Sequence, residues 1–391
     1  MNQIEVRLGH AANCSALGNV LNVLVWSQVL AASVWTAAEA WHTRRRRDEP
    51  GGGQTRLTED PSALVRSRGP GPGGGAAAPR EAHLQITQVC GLPCAHCYME
   101  NSGSHVPLDT VTSRLDALAD EGILRVALGG GEPLRHPDLP AIAAHARSRG
   151  LAVGVTTSGV GPDVDLRSFD QVNVSIDGLG DVFVGTRGYD GSDAALSRIR
   201  SLAAAGIRTG VNLVLDRVTF LTVEATVAAA IDAGAVDVQL LRLKPVGRAL
   251  EEYTRRRLTP EQAMDVWPLC QRLMARFPEV TVRLDCASVP WLAAHDLDME
   301  RMRTFGFRGC HGAVDLVSVD TSGIAHPCSF APLQPGEDWA AGVQTGPCEG
   351  CAFHFVCKGG CHAVAGAMTG DRFAPDPECP RVLAWTAHDA R

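Results

Sequence analysis

From residue 83 onwards the chain switches repeatedly between two hydrophobic periods. Residues 83–88, His-Leu-Gln-Ile-Thr-Gln, alternate apolar and polar side chains, as a half-buried strand does. Short apolar runs at 123–128, 151–155, 171–176, 209–214 and 236–241 also read as strands. Residues 138–149, 194–205 and 222–233 read as helices, the middle one periodic in Ala and Leu and closed by Gly206. Six strand–helix units in series predict an α/β fold with a parallel sheet or barrel. Sites on such folds lie beyond the C-terminal ends of the strands.

The first eighty residues break this rhythm. Residues 17–38 form a 22-residue stretch without a charge, bounded by Glu39 and followed by Arg44 to Arg47. That length suffices for a membrane span with the arginines on the cytoplasmic side. Asn19, Asn22, Ser27, Gln28, Ser33 and Thr36 dilute it, so membrane association by residues 17–38 is not favoured over an apolar docking helix or a misplaced start. A secretory signal fits worse, because the basic residues follow the apolar run. Residues 1–47 are therefore treated as an apolar, helix-like segment. Residues 48–80 are rich in Gly and Pro and are expected to be a disordered linker.

Composition narrows the class. The 391 residues are 45% hydrophobic and 20% charged, as in a soluble globular protein with a sizeable core. A net charge of −7 provides no general basic surface, so nucleic acid is not an implied partner. Thirteen cysteines at C-x2-C and C-x3-C spacings in so long a chain point to metal ligation in a reducing compartment, hence a cytoplasmic location.

The chemistry-bearing motifs follow the strands in order. Cys90-Gly-Leu-Pro-Cys94-Ala-His-Cys97 comes after the first strand. Three thiolates on one loop can hold three irons of a [4Fe–4S] cluster and leave the fourth open for chemistry. A zinc loop is the alternative. Gly129-Gly-Gly-Glu132-Pro133 follows the second strand; glycines let a backbone approach a ligand, and the carboxylate can accept hydrogen bonds from an ammonium group. Ser175-Ile-Asp177-Gly178 ends the fourth strand with Ser and Asp on one face. Arg187-Gly188 comes next, and Leu241-Arg-Leu-Lys-Pro245-Val-Gly247-Arg248 ends the sixth strand. Near the C-terminus, Cys310-x12-Gly323-x4-Cys328, Cys348-x2-Cys351-x5-Cys357-x3-Cys361 and Cys379 form a second constellation. Only Cys14, Cys270 and Cys286 stand outside both groups.

The triplet and the markers behind it resemble the radical S-adenosylmethionine (SAM) superfamily. The seven-cysteine tail resembles its SPASM extension, as found in peptide maturases of the mycofactocin type. The resemblance implies a partial (β/α)6 TIM-like barrel over residues 81–255, a connecting segment over 256–309 and a small α+β iron–sulfur domain over 310–391. It implies a cluster on Cys90, Cys94 and Cys97 whose open iron chelates SAM, with reductive cleavage to a 5′-deoxyadenosyl radical. Gly130, Gly131 and Glu132 would then hold the SAM amino group, and Ser175 and Asp177 would lie near the ribose. Arg187 would pair with the SAM carboxylate, or else be a solvated surface charge. Asn212 is a weaker polar candidate, Leu243 a guess for the adenine. Ser158 stands where family members carry Asn and receives no role.

In the same resemblance Cys348, Cys351, Cys357 and Cys379 hold one auxiliary [4Fe–4S] cluster, while Cys310, Cys328 and Cys361 supply three ligands to another. Many members carry an eighth cysteine close to the first; relatives place it at position 317, which here is Val. The fourth ligand stays open between Cys286, a non-cysteine side chain and the substrate. A buried structural thiol is the default role of Cys286. The implied activity is that of a radical SAM oxidoreductase that oxidises or crosslinks a ribosomally made precursor peptide. Implied partners are an electron donor such as flavodoxin or ferredoxin and, because residues 1–80 lack the strand pattern of a leader-binding domain, a separate peptide-binding protein. A dehydrogenase or tetrapyrrole-modifying enzyme acting on a small molecule is the alternative. An iron–sulfur electron carrier would leave Gly129 to Pro133 without purpose. No motif marks a catalytic acid or base.

Overall fold

The computed structural model describes residues 80–304 except 102, and 308–389 except 333–336, 338, 340, 341 and 344. The expectations for residues 1–79, including the apolar segment and most of the linker, lie outside the described residues. Strands β1 (Glu81–Thr87), β2 (Arg125–Gly130), β3 (Ala152–Thr157), β4 (Gln171–Ser175), β5 (Thr209–Leu215) and β6 (Asp237–Arg242) fall where the hydrophobic runs put them. The helices that follow β1 and β2 are α1 (Leu108–Asp120) and α2 (Leu139–Ser148). Helices α3 (Gly180–Arg187) and α4 (Ser192–Ala204) follow β4, and α5 (Val223–Asp232) follows β5.

The strands share one sheet in the order β6-β5-β4-β3-β2-β1, all parallel. Alternation sorts their side chains between the two faces. Val172, Val174, Val211, Leu213, Val238 and Leu240 are buried in the main core, whereas Gln171, Asn173, Ser175 and Asn212 occupy the intervening positions. Helix α1 buries Val111, Leu115 and Leu118, and α2 buries Leu139, Ile142 and Ala146, at the spacing of one helical face. Burying some seventy apolar residues in this way is the principal source of stability.

The sheet is wider than six strands. After β6 come α6 (Ala249–Arg256) and α7 (Pro260–Arg276), the latter begun by a reciprocal cap between Thr259 and Gln262. Then β7 (Thr281–Leu284) adds parallel to β6, and β8 (Leu316–Val319) adds parallel to β1. Strand β9 (Ala325–His326) closes that edge antiparallel to β8. Each of the added strands is at most four residues long, too short to stand out from its surroundings by pattern. The connecting segment and the cysteine-rich tail thus each lend a strand to the sheet. Among the described residues, no helix is long and apolar enough to cross a membrane.

Candidate active site and cysteine clusters

The cysteine loop leaves β1 at an irregular pairing between Gln85 and Thr87. Three motifs fasten it. From β2, Gly131 N donates to Thr87 O at 2.8 Å and Glu132 N to Val89 O at 2.9 Å. A side chain at Gly130 would place its Cβ 2.2 Å from Thr87 O, and one at Gly131 2.6 Å from Val89 O. The glycines are needed so that two backbones can touch, and Gly130 also has a φ of +119° that favours glycine. From α3, Thr186 O accepts from Ala95 N at 3.3 Å, and Gly188 packs so closely on Pro93 that a Cβ would lie 2.9 Å from its ring. From the end of β6, Arg248 N donates to Cys97 O at 2.9 Å and its Nε to Cys94 O at 2.8 Å. A Cβ on Gly247 would meet Cys97 O at 2.5 Å. The motifs read separately along the sequence converge on one loop.

The three thiols of that loop lie within electrostatic reach of one another, and burial pushes those of Cys90 and Cys94 up. Beside them Glu132 is buried and fully engaged. Its Oε1 accepts from Leu134 N at 3.1 Å and Thr157 Oγ1 at 2.7 Å; its Oε2 accepts from Ser158 N at 2.8 Å and Ser158 Oγ at 2.5 Å. Thr157 and Ser158 are partners that sequence reading missed, because Ser158 was judged only against the family's Asn. Asp177 has no exposed surface; its Oδ1 accepts from Val214 N at 2.7 Å and its Oδ2 pairs with Arg187 Nη2 at 2.5 Å. Arg187 is buried, so it is no solvated surface charge. Burial opposes its charge, and Asp177 with the Cys94 thiol outweighs that effect, raising its pKa. His96 Nε2 stands 3.4 Å from Asp177 Oδ2, and burial lowers its pKa to about 4, leaving a neutral ring near pH 7. Ser175 pairs in register with Asn212, whose Oδ1 is buried without a partner. An orphaned acceptor beside a serine suits a hydroxyl-bearing ligand such as a ribose. Leu243 packs with Ala249, Tyr253 and Val364.

The tail cysteines form two further gatherings. Cys348, Cys351, Cys357 and Cys379 line one cavity together with Phe353 and Arg381. Cys310, Cys328 and Cys361 are mutually within electrostatic reach, and Lys244 couples to Cys328 and Cys361. Burial pushes Cys328 and Cys348 up to about 11, and Cys310, Cys357, Cys361 and Cys379 up as well. Thiols so placed do not ionise against water alone; a bound cationic centre is what allows it. The donor sets therefore fit iron–sulfur clusters. Among the described residues, no three His, Cys, Asp or Glu converge tightly enough for a single metal ion.

Between the two gatherings lies a buried ion-pair network. Arg242, at the end of β6, donates to both oxygens of Asp376 at 2.7 and 3.0 Å and to Glu378 Oε2 at 2.9 Å. Asp376 Oδ2 also accepts from Cys361 N at 3.0 Å, and its carbonyl accepts from Cys379 N at 3.0 Å. One residue thus orients a cysteine of each set, Cys361 through its carboxylate and Cys379 through its backbone carbonyl. The sequence singles out the stretch from Leu241 to Arg248 but not its pairing with Asp376, since nothing in the chain pairs residues 134 positions apart. An open groove of about 640 Å³ lies elsewhere, between Phe220, Leu221, Glu224, Arg272 and Arg276, and carries no thiol.

Residues 84–230 match the radical SAM superfamily. Those residues form a radical SAM domain. This radical SAM chain is 28% identical over 338 residues to a PqqA peptide cyclase of Streptomyces rochei, covering 77% of this chain and 89% of the relative. It is 28% identical to a pre-heme d1 synthase of Dinoroseobacter shibae (77% and 86% covered) and 25% identical to the mycofactocin maturase of Mycobacterium tuberculosis (78% and 84% covered). Among solved structures, SuiB of Streptococcus suis bound to S-adenosylmethionine shares the fold with a TM-score of 0.62 at 15% identity, covering 78% of this chain and 77% of that one. The radical SAM chain is an enzyme, and its cofactors are SAM and a [4Fe–4S] cluster.

Proposed function

We propose that this radical SAM enzyme oxidises or crosslinks a ribosomally made precursor peptide, using one SAM-binding and two auxiliary [4Fe–4S] clusters. The observation that carries the reading is the pair of separate cysteine gatherings beyond the SAM loop. Electron-accepting centres beside a radical-forming one suit a net oxidation. Cys90, Cys94 and Cys97 would hold the first cluster, which would supply the electron for reductive SAM cleavage and so for radical chemistry on the substrate.

The chain's own residues do the holding. Gly130 and Gly131 bring the β2 backbone against the cysteine loop, and Glu132 presents a carboxylate for the SAM amino group. Ser175, with Asn212, faces the sugar; Asp177 and Arg187 brace that edge through each other. Cys348, Cys351, Cys357 and Cys379 hold one auxiliary cluster, and Cys310, Cys328 and Cys361 contribute to the other. In this reading residues 81–255 are the radical SAM core, 256–309 the connection and 310–391 the SPASM domain. A flavodoxin or ferredoxin delivers electrons in the cytoplasm, where so many thiols stay reduced.

Peptide cyclase and mycofactocin maturase relatives support a peptide. The heme d1 relative, matched at equal identity, favours a second reading, a tetrapyrrole substrate. Anaerobic reconstitution with SAM, a reductant and candidate precursor peptides, followed by product mass analysis, separates them. A peptide mass change coupled to 5′-deoxyadenosine release is expected. Release with every peptide unchanged and a tetrapyrrole oxidised would overturn the proposal.

A further inference from the structure

Two cysteines of the described chain belong to no assigned set, and their surroundings differ. Cys270, on α7, is fully buried in the main hydrophobic core. Burial pushes its thiol up to about 12, as in a structural cysteine that packs like a small hydrophobe. Cys286 is in neither hydrophobic cluster and keeps some accessible surface despite its depth.

Its neighbours are those of the incomplete set. Cys286 follows β7, which lies beside β6 at the same end of the sheet. Three bonds fix its backbone. Asp285 N donates to Leu240 O at 2.9 Å, the Asp285 carboxylate accepts from Ala287 N at 3.2 Å, and Arg242 Nη1 donates to Ala287 O at 2.6 Å. The thiol so placed lies within electrostatic reach of Cys310 and Cys361, and of the buried Lys244–Asp285 pair. Lys244 in turn couples to Cys361, Cys286 and Cys328, so one cation faces three of the four sulfurs. Val317 is a buried residue of β8 paired in register with Ala82.

We propose that Cys286 is the fourth protein ligand of the auxiliary cluster shared with Cys310, Cys328 and Cys361. The inference rests on the auxiliary-cluster reading above. The thiol releases its proton on binding iron, and Lys244 balances part of the thiolate charge. A cluster closed by four cysteines has no iron left for a substrate thiolate. Its task is then electron transfer.

The test uses the full chain carrying Cys90→Ala, Cys94→Ala and Cys97→Ala, so that only auxiliary iron remains, about eight atoms per chain. With Cys286 in place, the paramagnetic resonance spectrum of the reduced clusters should not move on adding cyanide, because no iron is open. Cys286→Ala should either lose at least one iron per chain or gain a signal that cyanide shifts. Cys286→Ser, which keeps an oxygen ligand and its volume, should retain the iron with an altered midpoint potential. Cys270→Ala should match the parent. Cys286→Ala with full iron, the parent's spectrum and indifference to cyanide would overturn the ligand assignment, as would a cyanide-sensitive parent. Should the alanine variant fail to fold, an unaltered spectrum and potential in Cys286→Ser would overturn it equally. A folded parent without iron would sink the auxiliary-cluster reading itself, which keeps the two failures apart.

Discussion

The two cysteine-rich ends of this radical SAM enzyme are held by different forces. Around Cys90, Cys94 and Cys97 the fasteners are mostly backbone groups and glycine spaces, with Arg248 the one side chain donating to loop carbonyls among the contacts described above. Around the tail cysteines the fasteners are buried charges, Arg242 with Asp376 and Glu378, and Lys244 with Asp285. Arg248 is the charged side chain in that framework among these contacts, and in the proposed reading Glu132 and Ser175 meet what enters. Clusters that only pass electrons gain from fixed charge packed close to them, which sets their potential and seals them from water. One end is shaped by sterics, the other by electrostatics.

The largest effect should come from removing the first set outright. Replacing Cys90, Cys94 and Cys97 with Ala together should abolish 5′-deoxyadenosine formation while about eight of about twelve irons stay bound. Iron analysis beside a chromatographic assay of SAM cleavage reads both. Loss of all iron would show that the two ends assemble as one unit and erase the contrast. Next in size is Arg242→Ala, which leaves Asp376 as a buried, uncompensated carboxylate at a cost of about 3–5 kcal/mol. Lower chemical-denaturation midpoints and lost auxiliary iron are expected. Arg242→Lys should recover only part, since the bidentate fork is gone. An unchanged midpoint in Arg242→Ala would remove electrostatics from the account.

Legibility follows the same divide. The six long strands are apolar runs of about the usual length, so periodicity alone located β1 to β6 within two residues at each end. The short strands β7 and β8 depend on neighbours already in place, and no local pattern marks them. Cysteine spacing was readable most directly at Cys90, Cys94 and Cys97, which sit on one loop. The Arg242–Asp376 pair was not, because a buried ion pair between distant segments leaves no periodic trace. The engagement of Glu132 by Thr157 and Ser158 was hidden for a related reason. Adjacent strand ends meet only once the sheet has formed.

Glycine spaces are the steric end's counterpart of the arginine. Gly130→Ala forces a Cβ to within 2.2 Å of Thr87 O at a φ of +119°, so the β2 end must pull away from the cysteine loop. A displacement near 1 Å at the reacting centre lowers turnover by about a hundredfold. SAM cleavage should fall by that order with auxiliary iron intact. A variant within about twofold of the parent would show that the loop is held by its other two motifs alone.

The smallest effect concerns Ser158, and its sign is the informative part. All four acceptor positions of Glu132 are filled by protein donors, so an incoming ammonium group must displace one. Leu134 N and Ser158 N are fixed backbone, and the two hydroxyls each also accept from a backbone N–H, Thr157 from Gly159 at 3.0 Å and Ser158 from Val160 at 3.2 Å. The Ser158 hydroxyl alone among them has another acceptor within reach, Val160 O at 3.3 Å. It is the donor that can turn aside. Ser158→Ala removes that competitor, so the SAM concentration for half-maximal 5′-deoxyadenosine formation should fall, by up to about tenfold for one hydrogen bond of about 1.5 kcal/mol. A rise of tenfold or more would mean that the hydroxyl orients the carboxylate instead of yielding to the ligand. The ligand-admitting end would then share the charge-clamped design of the other.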